Sequence, residues 1–479
     1  MARKPKKPPK SRARPSPRRE GRTPAPTVGG GTGVSIRMYR LGVGDCFLLS
    51  FPKEDGSVFR MLIDCGTHTA QSGGADRIRK VVADIRDETG GHIDVIVATH
   101  EHWDHISGFL QADELFGEIT AGEIWFAWTE DDTDELARKL ALTNKRYRAL
   151  TALANAEARL RVIGLDAGGH PLAGILGFFG PGGGTNLAKA GKVLKGLSST
   201  VRYWKPGALP REIDGARARV FVLGPPRSQE MIERSDPSST DSEVYGFGGY
   251  MPLLEAVEPQ LGGGAAQPFD DRFALPLDGT RSLPFFAGHY WADRVPADPE
   301  AAREDTTQSW RRIDHDWLDA ATSLALKLDE DTNNTSLVLA IELGDPKEGG
   351  PVLLFAGDAQ VGNWLSWQDV EWPSYYGRRI TGPDLLRRTV VYKVGHHASH
   401  NATLREQGLE MMDDLALALV PTDAAMAKKV GWGTLPWPQL LARLDEKTAD
   451  RVIRSDRGLP AGLEGFAVTE HDLYFEITL

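Results

Sequence analysis

Between residues 34 and 98 the apolar positions fall in short β-rich runs broken by turn residues. Val34 to Tyr39, Cys46 to Phe51 and Phe59 to Ile63 are split by Gly42-Val43-Gly44-Asp45 and by Lys53-Glu54-Asp55-Gly56, the pattern of strands and a hairpin. Ile78, Val81, Val82 and Ile85 recur at helical spacing, which predicts an amphipathic helix over 75–87. Ile93 to Ala98 is again an apolar run of strand length. Strand, helix and strand in that order predict an α/β layered fold. Farther on, Leu136, Leu140, Tyr147, Leu150 and Leu153 predict a helix within 130–160, and Arg217 to Leu223 a strand closed by Gly-Pro-Pro. Trp310, Ile313, Trp317, Ala321 and Leu324 predict a helix over 307–328. Three strands follow at 336–342, 352–355 and 389–394, and then a short α/β stretch to Leu479.

Charge and composition divide the chain. Residues 1–24 hold ten Lys/Arg against one acid, Glu20, a net +9 that leaves about −19 on the remainder of a chain whose total is −10. With Pro, Gly, Ser and Thr abundant and almost nothing to bury, residues 1–33 read as a disordered basic tail. Such a tail is a solubilising extension or an arm for a polyanion such as nucleic acid. The acidic body argues against a broad nucleic-acid face but leaves room for a local groove. Residues 34–479 read as one large domain, with an insertion at about 227–330 rich in Pro, Gly, Asp and isolated aromatics. That insertion suits a lid over a site, or a docking surface for a partner protein. No stretch approaches the ~20 apolar residues of a membrane span, and no apolar run follows the basic N-terminus. Cys46 and Cys65 are too few for a disulfide framework or a cysteine zinc cluster, and on neighbouring strands they read as small buried hydrophobes. The cytoplasm is the expected compartment.

The chemistry concentrates in Thr99-His100-Glu101-His102-Trp103-Asp104-His105, directly after a predicted strand. Side chains two apart in a tight loop converge on one ion, and those four and five along turn toward a second. Imidazole and carboxylate are the donor types for Zn²⁺ and similar ions. Two further strand ends supply partners: Ala356-Gly357-Asp358, and Gly395-His396-His397-Ala398-Ser399. Strand C-termini of an α/β sheet are where ligands collect. Asp358 is placed to bridge two ions, and one of His396 and His397 to complete the second. Lys393, inside the third strand, reads as structural, and His68 as a surface residue.

The His-x-His-x-Asp-His stretch resembles the signature of the metallo-β-lactamase superfamily, which implies a four-layered αββα sandwich. Leu62-Ile63-Asp64-Cys65-Gly66 is similar to its early strand-and-turn motif, in which the acid supports the metal loop. Gly42-Val43-Gly44-Asp45-Cys46, Asn333-Asn334-Thr335-Ser336-Leu337-Val338-Leu339, Ala356-Gly357-Asp358 and Lys393-Val394-Gly395-His396-His397-Ala398-Ser399 look like the ComEC-type branch, the hydrolase domain of a DNA-uptake channel. The resemblance implies two divalent ions, zinc by default with manganese or iron as options. His100, His102 and Asp358 serve the first, and Asp104, His105, Asp358 and a distal histidine the second. Many superfamily members add a histidine to the first ion. His170 is the candidate here, although the ComEC-type branch generally lacks that ligand. The implied function is a dinuclear metal-dependent hydrolase, a phosphodiesterase or nuclease working through a bridging hydroxide. Asp104 would orient the attacking group, and whichever of His396 and His397 is not a ligand would serve the leaving oxygen. Hydrolysis of another ester or a lactone is the alternative, as is a metal-bound scaffold subunit of a multi-protein system such as defence.

Overall fold

The computed structural model describes residues 33–143, 149, 152–156, 158, 171–181, 184–235, 282–289, 316–429, 432, 434–463 and 466–479. The basic tail, His170 and most of the 227–330 insertion lie outside the described residues. The β-rich runs form the strands they predict, each displaced by a residue or two. In chain order these are β1 (Ser35–Tyr39), β2 (Cys46–Pro52), β3 (Val58–Cys65), β4 (His92–Val97), β5 (Thr120–Ala127), β6 (Val201–Trp204), β7 (Arg211–Glu212) and β8 (Ala218–Gly224). They continue with β9 (Val338–Leu343), β10 (Val352–Phe355), β11 (Glu371–Tyr375), β12 (Arg378–Thr381), β13 (Thr389–Lys393), β14 (Leu417–Val420), β15 (Val452–Arg454), β16 (Ala467–Glu470) and β17 (Tyr474–Thr478).

Two sheets share this set, in the orders β16-β17-β1-β2-β3-β4-β5-β6 and β15-β14-β13-β10-β9-β8-β7. Their central strands are apolar on both faces because both faces are covered. One face of each meets the other sheet: Met38, Phe47, Leu49, Ile63 and Val97 pack on Val220, Leu339, Leu353, Phe355 and Leu419. Phe47 and Phe355 meet edge to face, 5.5 Å between ring centres. The alternate residues Leu48, Leu62 and Ile96 face outward onto the helices Gly74–Thr89 and Trp103–Gln111, through Ile78, Val81, Val82, Ile85, Ile106 and Phe109. On the far side Leu354, Tyr392 and Ala418 are covered by Trp364, Trp367, Leu385 and Leu444. The result is helix, sheet, sheet, helix. Each of these buried large side chains contributes about 1.5–3 kcal/mol relative to exposure.

The topology brings the two chemical segments together. β3, β4 and β5 run parallel, as do β10 and β13. Asp64, the His100 loop, Asp358 and His396-His397 therefore all lie at or just beyond strand C-terminal ends. The last strand closes the first sheet, β17 pairing with β1 from Ser35↔Thr478 to Tyr39↔Tyr474. Cys46 and Cys65 are register partners between β2 and β3, both buried and unbridged. Among the described residues no helix is long and apolar enough to cross a membrane.

Candidate metal centre

After β4 the chain passes through Thr99 and His100 to His102, which is extended (φ −103°, ψ 153°) and opens the helix Trp103–Gln111. Asp104 and His105 thus sit in the first helical turn rather than in a continuous loop, with His100 and His102 just ahead of it. Asp64 clamps this turn. Its carboxylate accepts the Thr99 N–H at 2.8 Å and the Thr99 hydroxyl at 2.7 Å, and lies 2.8 Å from His105 Nδ1. Gly66 has to lack a side chain, because a Cβ there would come within 2.5 Å of the Asp104 carbonyl and the His105 nitrogen. The opposite wall is strained. His396, His397 and Ala398 have φ of 44°, 49° and 63° in succession, a left-handed conformation costing about 1–2 kcal/mol per residue. The His396 N–H, donating to Asp358 Oδ1 at 3.0 Å, is one of the bonds that hold it.

Asp104, His105, Asp358 and His397, all buried, each offer a ligand atom within 4.8 Å of one another. His397 Nε2 lies 2.8 Å from Asp104 Oδ2 and 3.5 Å from Asp358 Oδ2, and His105 Nε2 lies 3.3 Å from Asp358 Oδ2. Beside this group His100 Nε2 and His102 Nδ1 face each other at 3.0 Å. The rings of His100 and His105 are 4.1 Å apart, so the two groups adjoin. Of the two distal histidines it is His397 whose ring enters the cluster. The half-buried His396 ring turns instead to Ser399 Oγ at 2.7 Å and to Asn401, Gln360 and Asn333, each at 3.3 Å.

The charges call for cations. Asp45, Asp64, Asp104, Asp329 and Asp358 are five buried carboxylates facing one buried ammonium, Lys393. Buried charge has to be paired, and an excess of buried carboxylate over ammonium suits divalent cations. Burial alone would lower His105 and His397, but Asp358 and Asp104 push both up. Asp45 and Asp329 are pushed up by burial. Asp104 and Asp358 go the other way: burial would raise both, yet His105 and His397, joined at Asp358 by Lys393, hold them below the usual carboxylate range. Asp104 Oδ1 has no hydrogen-bond partner among the described residues. The donors present therefore fit divalent metal ions.

A family model described as the metallo-beta-lactamase superfamily matches residues 39–179. That span is a metallo-beta-lactamase superfamily domain. No curated protein and no solved structure matches the chain. The two packed sheets with outer helices are consistent with the metallo-beta-lactamase α/β sandwich, and superfamily members bind divalent metals and are mostly metal-dependent hydrolases. The matched span contains Asp64 and His100 to His105, whereas Asp358 and His397 reach the same cluster from beyond it.

The partners of three residues at the site escape a reading of the sequence. Lys393 is structural, as its place inside the strand suggests, and its ammonium contacts Asp45 and lies 3.3 Å from Asp358 Oδ1 and 2.8 Å from the Gly357 carbonyl. Burial opposes its charge, but Asp45 and Asp358 secure it. Asp45 was visible only as part of a turn motif. Asp329 sits in a charged run, Leu328-Asp329-Glu330-Asp331, that resembles a solvated helix face.

His68 corrects an expectation of surface exposure. It is 1% exposed, its ring 4.6 Å from Phe178 and 4.8 Å from Trp432, with Nε2 3.0 Å from the Gly174 carbonyl. Phe178 and Trp432, both remote in sequence, close over it. Burial lowers its pKa to about 4. In the unfolded chain the pKa is about 6.5, so the unfolded state takes the proton first. The neutral ring's contribution is intact above about pH 6.5 and is lost as pH falls toward 4, up to roughly 3 kcal/mol. Urea titrations at pH 7 and pH 5 should therefore show a smaller loss of stability on acidification for His68→Leu than for the wild type.

Proposed function

We propose that this chain is a dinuclear metal-dependent hydrolase of phosphodiesters, in the ComEC-type branch of its superfamily. The observation that carries the reading is the convergence of Asp104, His105, Asp358 and His397 beside the facing nitrogens of His100 and His102, in a pocket with excess buried carboxylate. His100, His102 and Asp358 would hold one ion, and Asp104, His105, Asp358 and His397 the other. Two bound divalent ions supply Lewis acidity and bring the pKa of a bound water toward neutrality.

The chain's own residues do the rest. Pro421 accepts a hydrogen bond from His397 Nδ1–H at 2.9 Å, which fixes the proton there and turns a bare Nε2 inward. Asp64 does the same for His105. His396 has its pKa lowered to about 4, burial being the main cause, so at neutral pH it offers a neutral N–H. Half-buried at the edge of the cluster and held by Ser399, Asn401, Gln360 and Asn333, it would donate to a leaving or non-bridging oxygen by exchanging one of these partners. Zinc is the default ion for this donor set. A phosphodiester is favoured by the Gly395-His396-His397-Ala398-Ser399 resemblance and by the basic residues 1–33, which suit a polyanion.

The test is a panel of bis(p-nitrophenyl) phosphate, single- and double-stranded DNA, RNA, a carboxylic ester and a lactone. Diester cleavage by the wild type, with His396→Gln lowering kcat by about 10²-fold at unchanged metal content, is the expected result. Cleavage of only the ester or lactone would replace the phosphodiester assignment, and no cleavage of any substrate would count against hydrolysis itself.

A further inference from the structure

Three imidazoles at the centre have the nitrogen that points away from it fixed by oxygen. His105 Nδ1 lies on Asp64 Oδ2 and His397 Nδ1 on the Pro421 carbonyl, while His100 Nδ1 is 3.1 Å from the Thr99 hydroxyl and 3.3 Å from that of Ser336. His102 is oriented the other way round. It turns Nδ1 toward His100, and its outer nitrogen, Nε2, faces Asp329 Oδ1 at 3.7 Å. Asp329 comes from the last turns of the helix Asp316–Asn333, far along the chain from the histidine loop. It is 7% exposed, and Oδ2 accepts a hydrogen bond from Asn333 Nδ2 at 3.2 Å. Oδ1 has no hydrogen-bond partner among the described residues. That same Asn333 amide lies 3.3 Å from His396 Nε2, so one helix end touches both margins of the site.

We propose that Asp329 is the positioning residue for His102, its carboxylate keeping the proton on Nε2 so that Nδ1 presents a bare lone pair beside His100 Nε2. A neutral imidazole has one donor and one acceptor nitrogen, so an acceptor oxygen at Nε2 selects this tautomer. At 3.7 Å the pair is a longer polar contact rather than a full hydrogen bond. The Phe178 and Phe179 rings, 5.8 and 5.5 Å from that of His102, make the surroundings apolar and strengthen the contact. Carboxylates behind a metal-binding histidine raise its basicity and fix its ring, and losing one costs about 10–100-fold in metal affinity. The helix at the end of the 227–330 segment is thereby part of the site's support. This inference rests on the metal-dependent reading given above.

Zinc affinity, measured on the full-length chain by chelator competition, tests it. One of the two ions should bind about 10–100-fold more weakly in Asp329→Ala, the other as in the wild type. Asp331→Ala, whose carboxylate pairs with Lys327 Nζ at 2.6 Å, should match the wild type at both. In the zinc-loaded protein, long-range ¹H–¹⁵N spectra should show the His102 proton on Nε2, with that signal displaced in Asp329→Ala. If Asp329→Ala does not fold, Asp329→Asn carries the same test with a smaller expected loss. Wild-type affinity for both ions, with an unchanged His102 signal, would overturn the role of Asp329 and leave the proposed function standing. A wild-type protein that takes up no zinc would overturn both.

Discussion

Lys393→Met should destabilise the metal-free protein by about 3–5 kcal/mol, the cost of stranding buried charge by removing its partner. The ammonium is 1% exposed and contacts Asp45, Asp358 and the Gly357 carbonyl. Without it, two buried carboxylates from different strand ends face each other with no cation of the chain's own between them. Adding Asp45→Asn to the variant removes one of those charges and should restore part of the loss. Divalent ions should restore another part, since they neutralise Asp358 directly. Urea denaturation of wild type, single and double variants, with and without zinc, checks all three statements. Lys393→Met with wild-type stability in the metal-free form would mean that the pair does not hold the site together.

The second large effect concerns turnover. Asp104→Ala combined with His105→Ala deletes two of the four groups that converge within 4.8 Å. Lewis-acid stabilisation by a bound ion contributes several kcal/mol, and each 1.36 kcal/mol is a factor of ten. The double variant should therefore lose about 10³-fold or more in kcat/KM on any substrate the panel identifies. Asp104 and His105 lie in the first turn of a helix whose packing rests on Ile106 and Phe109. Its circular dichroism should stay close to that of the wild type. Activity within tenfold of the wild type would contradict the assigned site.

What the sequence made legible follows from locality. The strand ends carrying Asp64, His100 to His105, Asp358 and His397 could be read because each motif is a strand plus a turn, and local pattern decides both. Which of His396 and His397 turns inward could not, since that depends on the left-handed turn and on Pro421, which arrives with β14. β5 begins with exposed and half-buried residues and only its second half is buried, so its apolar run is too short to declare itself. The pairing of β17 with β1 joins the two ends of the described chain, a contact no window can see. Asp329 and Lys393 belong to the same class. A charged run on a helix and a lysine in a strand look ordinary until the two sheets close and set them against His102 and Asp358.

We propose that the pocket holds two divalent ions. Elemental analysis with native mass spectrometry of the purified full-length chain, before and after chelation and zinc reconstitution, tests it most directly. About two ions per wild-type chain are expected, with at least one lost in the Asp104→Ala/His105→Ala variant. A wild-type chain that carries no metal and takes up none on reconstitution would contradict the account.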